Sequence, residues 1–222
     1  MLITKLRFLS RGFSISNEAM REMCKKATAA AFTAVKKSVK NQVGWELVAS
    51  LEDTEVYHDT KIRTAHVYRR QGKVDCAPMK VISYVMNPLN ARSWNEPVIE
   101  SRVLQNLGEH KIIYQKNQMP WPLSVRDLVF AEGLFETETG GHALVTTSVE
   151  HPDAPVTSAA VRSIMDWSAI IAEENENDKE KCFVTYVSSW QLREETSSLR
   201  EANYLIQKRN PIILKLRKLL LD

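Results

Sequence analysis

The sequence predicts an α+β domain: an antiparallel sheet with its helices segregated to one side. Three observations predict it. An alanine-rich segment with a single apolar stripe opens the domain, a succession of short β-prone runs follows, and an amphipathic segment closes it. Strands dominate and most of their connections are short, which favours antiparallel pairing. The 222 residues suit one domain with a short extension. With 44% apolar and 26% charged residues, the composition excludes a disordered tail, a collagen and a coiled-coil rod. No window approaches the ~20 apolar residues of a membrane-spanning helix.

Residues 1–17 read as a leader or transit segment and residues 18–222 as the domain. The leader carries Lys5, Arg7 and Arg11 among hydroxyl side chains, has no acid before Glu18, and sets Leu2, Ile3, Leu6, Leu9 and Phe13 at roughly helical spacing. This is the profile of a mitochondrial transit peptide, and Arg11-Gly12-Phe13-Ser14 resembles a processing site. A cytoplasmic location is expected, with a mitochondrial one as the alternative.

Glu18–Lys40 is expected to be a helix. Ser16 or Asn17 can cap it, Glu18 and Glu22 suit the positive end of its dipole, and Met20, Met23 or Cys24, Ala27, Ala31, Val35 and Val39 repeat every three to four residues. Trp45–Ala49, Glu55–His58 and Lys61–Arg69 read as strands, the last punctuated by Gln71-Gly72. Between Pro78 and Trp94 the rhythm turns helical through Val81, Ile82, Val85 and Met86. Pro97–Leu107 reads as another short helix, because Val98, Val103, Leu104 and Leu107 could share a face. Five more strands follow at Lys111–Gln115, Arg126–Phe135, Ala143–Val149, Ala160–Ile171 and Cys182–Trp190, with Gly140-Gly141 as a hairpin signal. Asp153–Thr157 and the acidic stretch Glu173–Glu180 read as loops, and Ser197–Leu221 as the last helix.

A net charge of +3 is close to neutral, so any affinity for an anionic partner must come from a local patch. Aromatic residues are not interleaved with a basic stripe, so no nucleic-acid partner is expected. Cys24, Cys76 and Cys182 are odd in number and far apart, which points to a reduced compartment and to packing as small apolar side chains. There is no GxSxG, P-loop, GxGxxG, HExxH or CxxC, and the five histidines lack ligand spacing. No metal, no cofactor and no enzymatic activity is expected.

Two segments stand out. Trp121-Pro122-Leu123-Ser124-Val125-Arg126-Asp127 feeds a proline turn into a strand that opens on adjacent opposite charges. Neighbouring strand residues face opposite sides, so Arg126 and Asp127 each need a partner of their own. In the C-terminal helix, Leu199, Ala202, Ile206, Ile213, Leu216 and Leu220 trace an apolar stripe. Lys208, Arg209, Lys215, Arg217 and Lys218 put five cations and no acid into residues 208–218, and Pro211 should kink the helix. Such a face could dock on anionic lipid at ~1 kcal/mol per basic residue.

Several motifs in order resemble those of the START family, the lipid-transfer domains related to steroidogenic acute regulatory protein. They are Asn87-Pro88 with Arg92-Ser93-Trp94-Asn95, the Trp121–Asp127 stretch, Ser148-Val149-Glu150-His151-Pro152, Val161-Arg162, and Pro211 in the last helix. The resemblance implies a helix-grip fold, a curved antiparallel β-sheet wrapped around a long C-terminal α-helix with a tunnel for one lipid between them. It implies lipid binding and transfer by a monomer that meets membranes transiently. The ligand would be a phospholipid, a sterol or similar, gated by the C-terminal helix. Candidate ligand contacts are Arg92, Trp94, Arg126, Asp127, Glu132, Ile206, Ile213 and Leu216.

The departures concern the head group. Asn95 stands where an aspartate is usual, Arg92 sits two residues before Trp94 rather than three, and Glu132 occupies a position where several relatives have an arginine. Glu194-Glu195-Thr196-Ser197 replaces a Gly-x-Ile-Pro run. Two other functions are compatible: a ligand-gated interaction module using the acidic stretch and the Trp167–Trp190 region, or a cyclase or hydrolase relying on Glu132, Asp127 or His66.

Overall fold

The computed structural model describes residues 16–41, 43–62, 65–119, 121–191 and 212–221. Helix α1 spans Asn17–Lys40, and the Ser16 side chain caps it by accepting the Ala19 N–H at 3.2 Å. Glu18 in the first turn and Lys37 and Lys40 in the last both suit the helix dipole. Its buried stripe is Met20, Cys24, Thr28, Ala31 and Val35.

Strands β1 (Trp45–Leu51), β2 (Thr54–Asp59) and β3 (Ala65–Val74) follow as a meander. Helix α2 (Pro78–Val85), a 3-10 turn (Pro88–Asn90) and helix α3 (Ala91–Trp94) then lead to β4 (Val98–Asn106) and β5 (His110–Asn117). The remaining strands are β6 (Arg126–Glu136), β7 (His142–Ser148), β8 (Val161–Arg162), β9 (Met165–Asn175) and β10 (Asp178–Gln191), and α4 (Ile212–Leu220) follows. Spatial order is β1-β2-β3-β10-β9-β7-β6-β5-β4, antiparallel throughout, with β8 paired in parallel to the start of β6. An unbroken register from Cys182↔Val74 to Gln191↔Ala65 joins the two halves of the chain.

Four expectations are corrected. Pro97–Leu107 is not a helix; its core is the edge strand β4. Register shifts between Val98 and Glu100 and between Val103 and Gln105 break the two-residue alternation, leaving apolar residues at spacings that mimic a helix. The helices are not on one side. Alternate residues of β7 show it: Ala143 and Val145 pack on α1 with Ala31 and Val35, while Leu144 packs with α2 and α4. The acidic stretch is a hairpin, with β9 running to Asn175 and β10 starting at Asp178. Gln71-Gly72 lies inside β3, which continues to Val74.

Helix α4 sits on the inner face of the sheet with Ile212, Ile213, Leu214, Leu216 and Leu220 buried, giving the α+β helix-grip arrangement. A Cβ on Gly72 would lie 3.3 Å from Ile213 Cγ2 and 3.2 Å from Arg217 Nη2, so the bare Cα lets the helix approach. Lys80 Nζ donates to the Leu220 carbonyl oxygen at 2.9 Å, and Lys215 Nζ to Glu96 Oε2 at 3.1 Å. Residues 197–211 of the expected last helix lie outside the described residues, apart from which the helix ends near its expected boundary.

Candidate functional site

Residues that point inward from consecutive strands do not all meet α2 and α4. Beneath the segment from the end of α2 through α3, the inner face of the sheet borders a cavity of about 650 Å³ including its mouth. Val85, Pro88, Ala91, Trp94 and Asn95 line it from that segment. The sheet contributes Ser101 of β4, Ile113 and Gln115 of β5, and Leu128, Phe130 and Glu132 of β6. From the far side come Leu144 and Thr146 of β7, Met165, Ser168 and Ile170 of β9, and Tyr186 and Trp190 of β10. A mostly apolar wall with a few polar groups is the usual make-up of small-molecule sites.

Glu132 is the carboxyl of this wall among the described residues. It is 5% exposed, and burial pushes its carboxyl up to about 7, partly opposed by Lys111. Lys111 faces Glu132 across the β5–β6 pairing, but its Nζ is 3.9 Å from Oε1, beyond hydrogen-bond range, and donates to the Met86 carbonyl oxygen at 3.4 Å. Trp94 Nε1 and Asn95 Oδ1 are also buried on this wall without a hydrogen-bond partner. Asn95 is fixed at the α3–β4 junction by its backbone, its N–H donating to Ala91 and its carbonyl accepting from Val98. Next to the cavity, buried Arg70 packs over the rings of Tyr68 and Tyr186 at 5.6 and 5.7 Å from their centroids. Among the described residues no group of His, Cys, Asp and Glu side chains is arranged to hold a metal, and no helix is long and apolar enough to cross a membrane.

Of the side chains expected to touch a ligand, the cavity brings together Trp94 and Glu132. Arg92 is exposed on α3. Arg126 opens β6 half-buried and is not among the lining residues. Asp127 is on the α1 side of β6, where Arg162 binds it through two hydrogen bonds of 2.9 and 3.1 Å, so the acid has a protein partner rather than a view of the cavity. Ile213 and Leu216 are fully buried in packed core and do not border the void. Ile206, Lys208 and Arg209 lie outside the described residues. Lys215 is held by Glu96, Arg217 donates to the carbonyl oxygens of Lys73 and Glu52, and Lys218 is exposed.

The expected ligand contacts left out Gln115, Thr146, Ser168, Tyr186 and Trp190, which line the cavity. The available signal was a polar residue within a strand that is apolar on both faces, as Thr146 follows Ala143-Leu144-Val145 and Ser168 precedes Ala169-Ile170-Ile171.

No curated protein matches the sequence. Among solved structures, human StAR-related lipid transfer protein 5 superposes with a TM-score of 0.80 at 16% identity, covering 90% of this chain and 97% of that one. Human STARD10 gives 0.68 at 16% identity over 95% and 84% of the two chains. A STAR-related lipid transfer protein fragment from Xanthomonas axonopodis gives 0.66 at 20% identity over 81% and 99%. At such identities the likeness is one of fold. The description of the START domain family, by contrast, matches residues 25–200 of the sequence itself, from within α1 past the end of β10. On that match, the chain belongs to the START domain family.

Proposed function

We propose that this protein binds one lipid in the cavity beneath α2 and α3 and carries it, as a monomer, between membranes. The observation that carries the proposal is the mostly apolar cavity on the inner face of the sheet, about 650 Å³ with its open mouth, in a chain of the START family. A lipid crossing water exposes its chains at ~0.8 kcal/mol per CH₂, so a sixteen-carbon chain faces on the order of 12 kcal/mol without an apolar host. The structures it resembles include two named as lipid transfer proteins. Gating by the C-terminal helix finds support in the ties of α4 to the cavity roof: Lys80 of α2 holds its end, and Lys215 holds Glu96, next to Asn95.

The test is native mass spectrometry of freshly purified protein, followed by transfer of fluorescent lipid between vesicles with no other protein present. Co-purified lipid and accelerated transfer are expected; failure of both would overturn the proposal, and binding without transfer would favour a ligand-gated interaction module. Recovery of chemically altered lipid would instead point to a cyclase or hydrolase using Glu132. Lys218 is exposed, whereas Lys215 and Arg217 are engaged by the fold, so Lys218→Glu is the clean docking variant. It should slow transfer from anionic vesicles about fivefold or more, given ~1 kcal/mol per basic residue, and leave transfer from neutral vesicles unchanged. Equal rates on both would remove the helix from docking.

A further inference from the structure

Among the described residues, Trp94, Asn95 and Glu132 of the cavity wall each carry a buried polar atom with no hydrogen-bond partner: Trp94 Nε1, Asn95 Oδ1 and Glu132 Oε1. Folded proteins leave few such atoms unmet, and each one left over weakens the fold. Trp94 and Asn95 are adjacent at the end of α3, and Glu132 reaches the same void from β6. Their roles are not interchangeable. The indole N–H can only donate, the amide oxygen can only accept, and the carboxyl accepts when ionised and can do either when protonated.

The charges near the void narrow the choice further. Among the described residues no lysine, arginine or histidine lines the cavity. Lys111 is paired on the strand beside Glu132 and turns its ammonium to the Met86 carbonyl oxygen, while Arg70 packs against the Tyr186 ring. A phosphate entering here would meet a carboxyl and, among the described residues, no lining cation.

We infer that Trp94 Nε1, Asn95 Oδ1 and Glu132 Oε1 form the subsite for the polar end of the ligand, and that this end is an uncharged hydroxyl-bearing group rather than a phosphate. A hydroxyl oxygen accepts from the Trp94 N–H while its proton goes to the Asn95 or Glu132 oxygen. A phosphodiester has no proton to donate and places its charge beside the carboxyl. A quaternary ammonium has no N–H to offer. This inference rests on the lipid-carrier reading of the same cavity and names the class of lipid.

The test uses a fluorescent diacylglycerol, its O-methyl ether and the phosphatidylcholine with the same chains, titrated against delipidated full-length protein. The hydroxyl lipid should bind at least about tenfold more tightly than either analogue, the size of one well-made hydrogen bond to a charged group. In Glu132→Gln or Asn95→Leu protein, the gap between the hydroxyl lipid and its ether should shrink while binding of the ether itself holds. Trp94→Phe, which keeps the ring and removes the donor, serves if either variant fails to fold. Ether or phosphatidylcholine binding as tightly as the hydroxyl lipid in the wild type would overturn the subsite and leave the carrier reading standing. Binding of none of the three would overturn both.

Discussion

Glu132 shows how much one buried carboxyl can do in this fold. In the unfolded chain it releases its proton near the usual value of 4.5, but in the folded protein burial holds the proton to about 7. Below roughly pH 4.5 both states are protonated and the group contributes nothing. Between 4.5 and 7 the unfolded state loses its proton first, so stability falls with rising pH, and above 7 the full cost of on the order of 3 kcal/mol applies. Glu132→Gln should therefore leave the delipidated protein about equally stable at pH 4.5 and markedly more stable at pH 8, measured by urea titration. A gain of the same size at both pH values would show that the effect is not ionisation. The three thiols follow the same physics in a quieter way: burial pushes Cys24 up to about 11 and Cys182 up to about 12, and all three cysteines are free and buried.

Turns and strand crossings set tighter limits than side chains do. In the β6–β7 hairpin, Gly140 adopts φ +83°, which L residues rarely take. A Cβ on the neighbouring Gly141 would lie 2.4 Å from the Ala172 carbonyl oxygen and 2.8 Å from Glu173 Cα, both backbone atoms of β9 that have nowhere to go. Gly141→Ala should cost about 1–3 kcal/mol as overpacking, read as a lower denaturation midpoint. Gly108 is the informative contrast. A Cβ there meets nothing within 4 Å, so Gly108→Ala should carry only the strain of its φ of +87°. If the two variants were equally stable, close approach of β9 would not be what Gly141 serves. Helix α4 is held in a comparable way, by carbonyl oxygens and one ion pair around an apolar stripe, so truncating Leu216 to alanine should cost about 2–5 kcal/mol.

The domain taken together is a sheet covered on both faces, solid under α1, α4 and most of α2 and hollow under the segment from the end of α2 through α3. An apolar void costs a fold about 24 cal/mol per Å³ in one measured series, so the protein is more stable with the void filled. A ligand present at 100 times its Kd adds about 2.7 kcal/mol. For a chain of this length that corresponds to roughly 5–10 °C in Tm. Delipidation should lower Tm by about this amount, and adding back the bound lipid should restore it in a thermal scan. No shift in either direction would mean that the cavity is not the binding site.

Much of this was legible in local patterns. The helix at Glu18–Lys40, its Ser16 cap, most of the strands and the ordered START motifs depend on residues close to one another in the chain, where propensity and spacing speak directly. What was not legible depended on residues brought together from far apart. The bulges of β4 disguised a strand as a helix because a shifted register erases the alternation that marks one. The sidedness of the helices depends on strand order, since an apolar run such as Ala143-Leu144-Val145 is buried on both faces only once α1 and α2 are in place on opposite sides. Asp127 found Arg162 through a parallel pairing of two short segments, and so left the list of candidate ligand contacts. The cavity wall draws one to three inward-facing residues from each of six strands, and others from the end of α2 through α3. Hydrophobic patterning tells each of them that it is buried, but only the packed sheet determines whether what it faces is another side chain or an empty space.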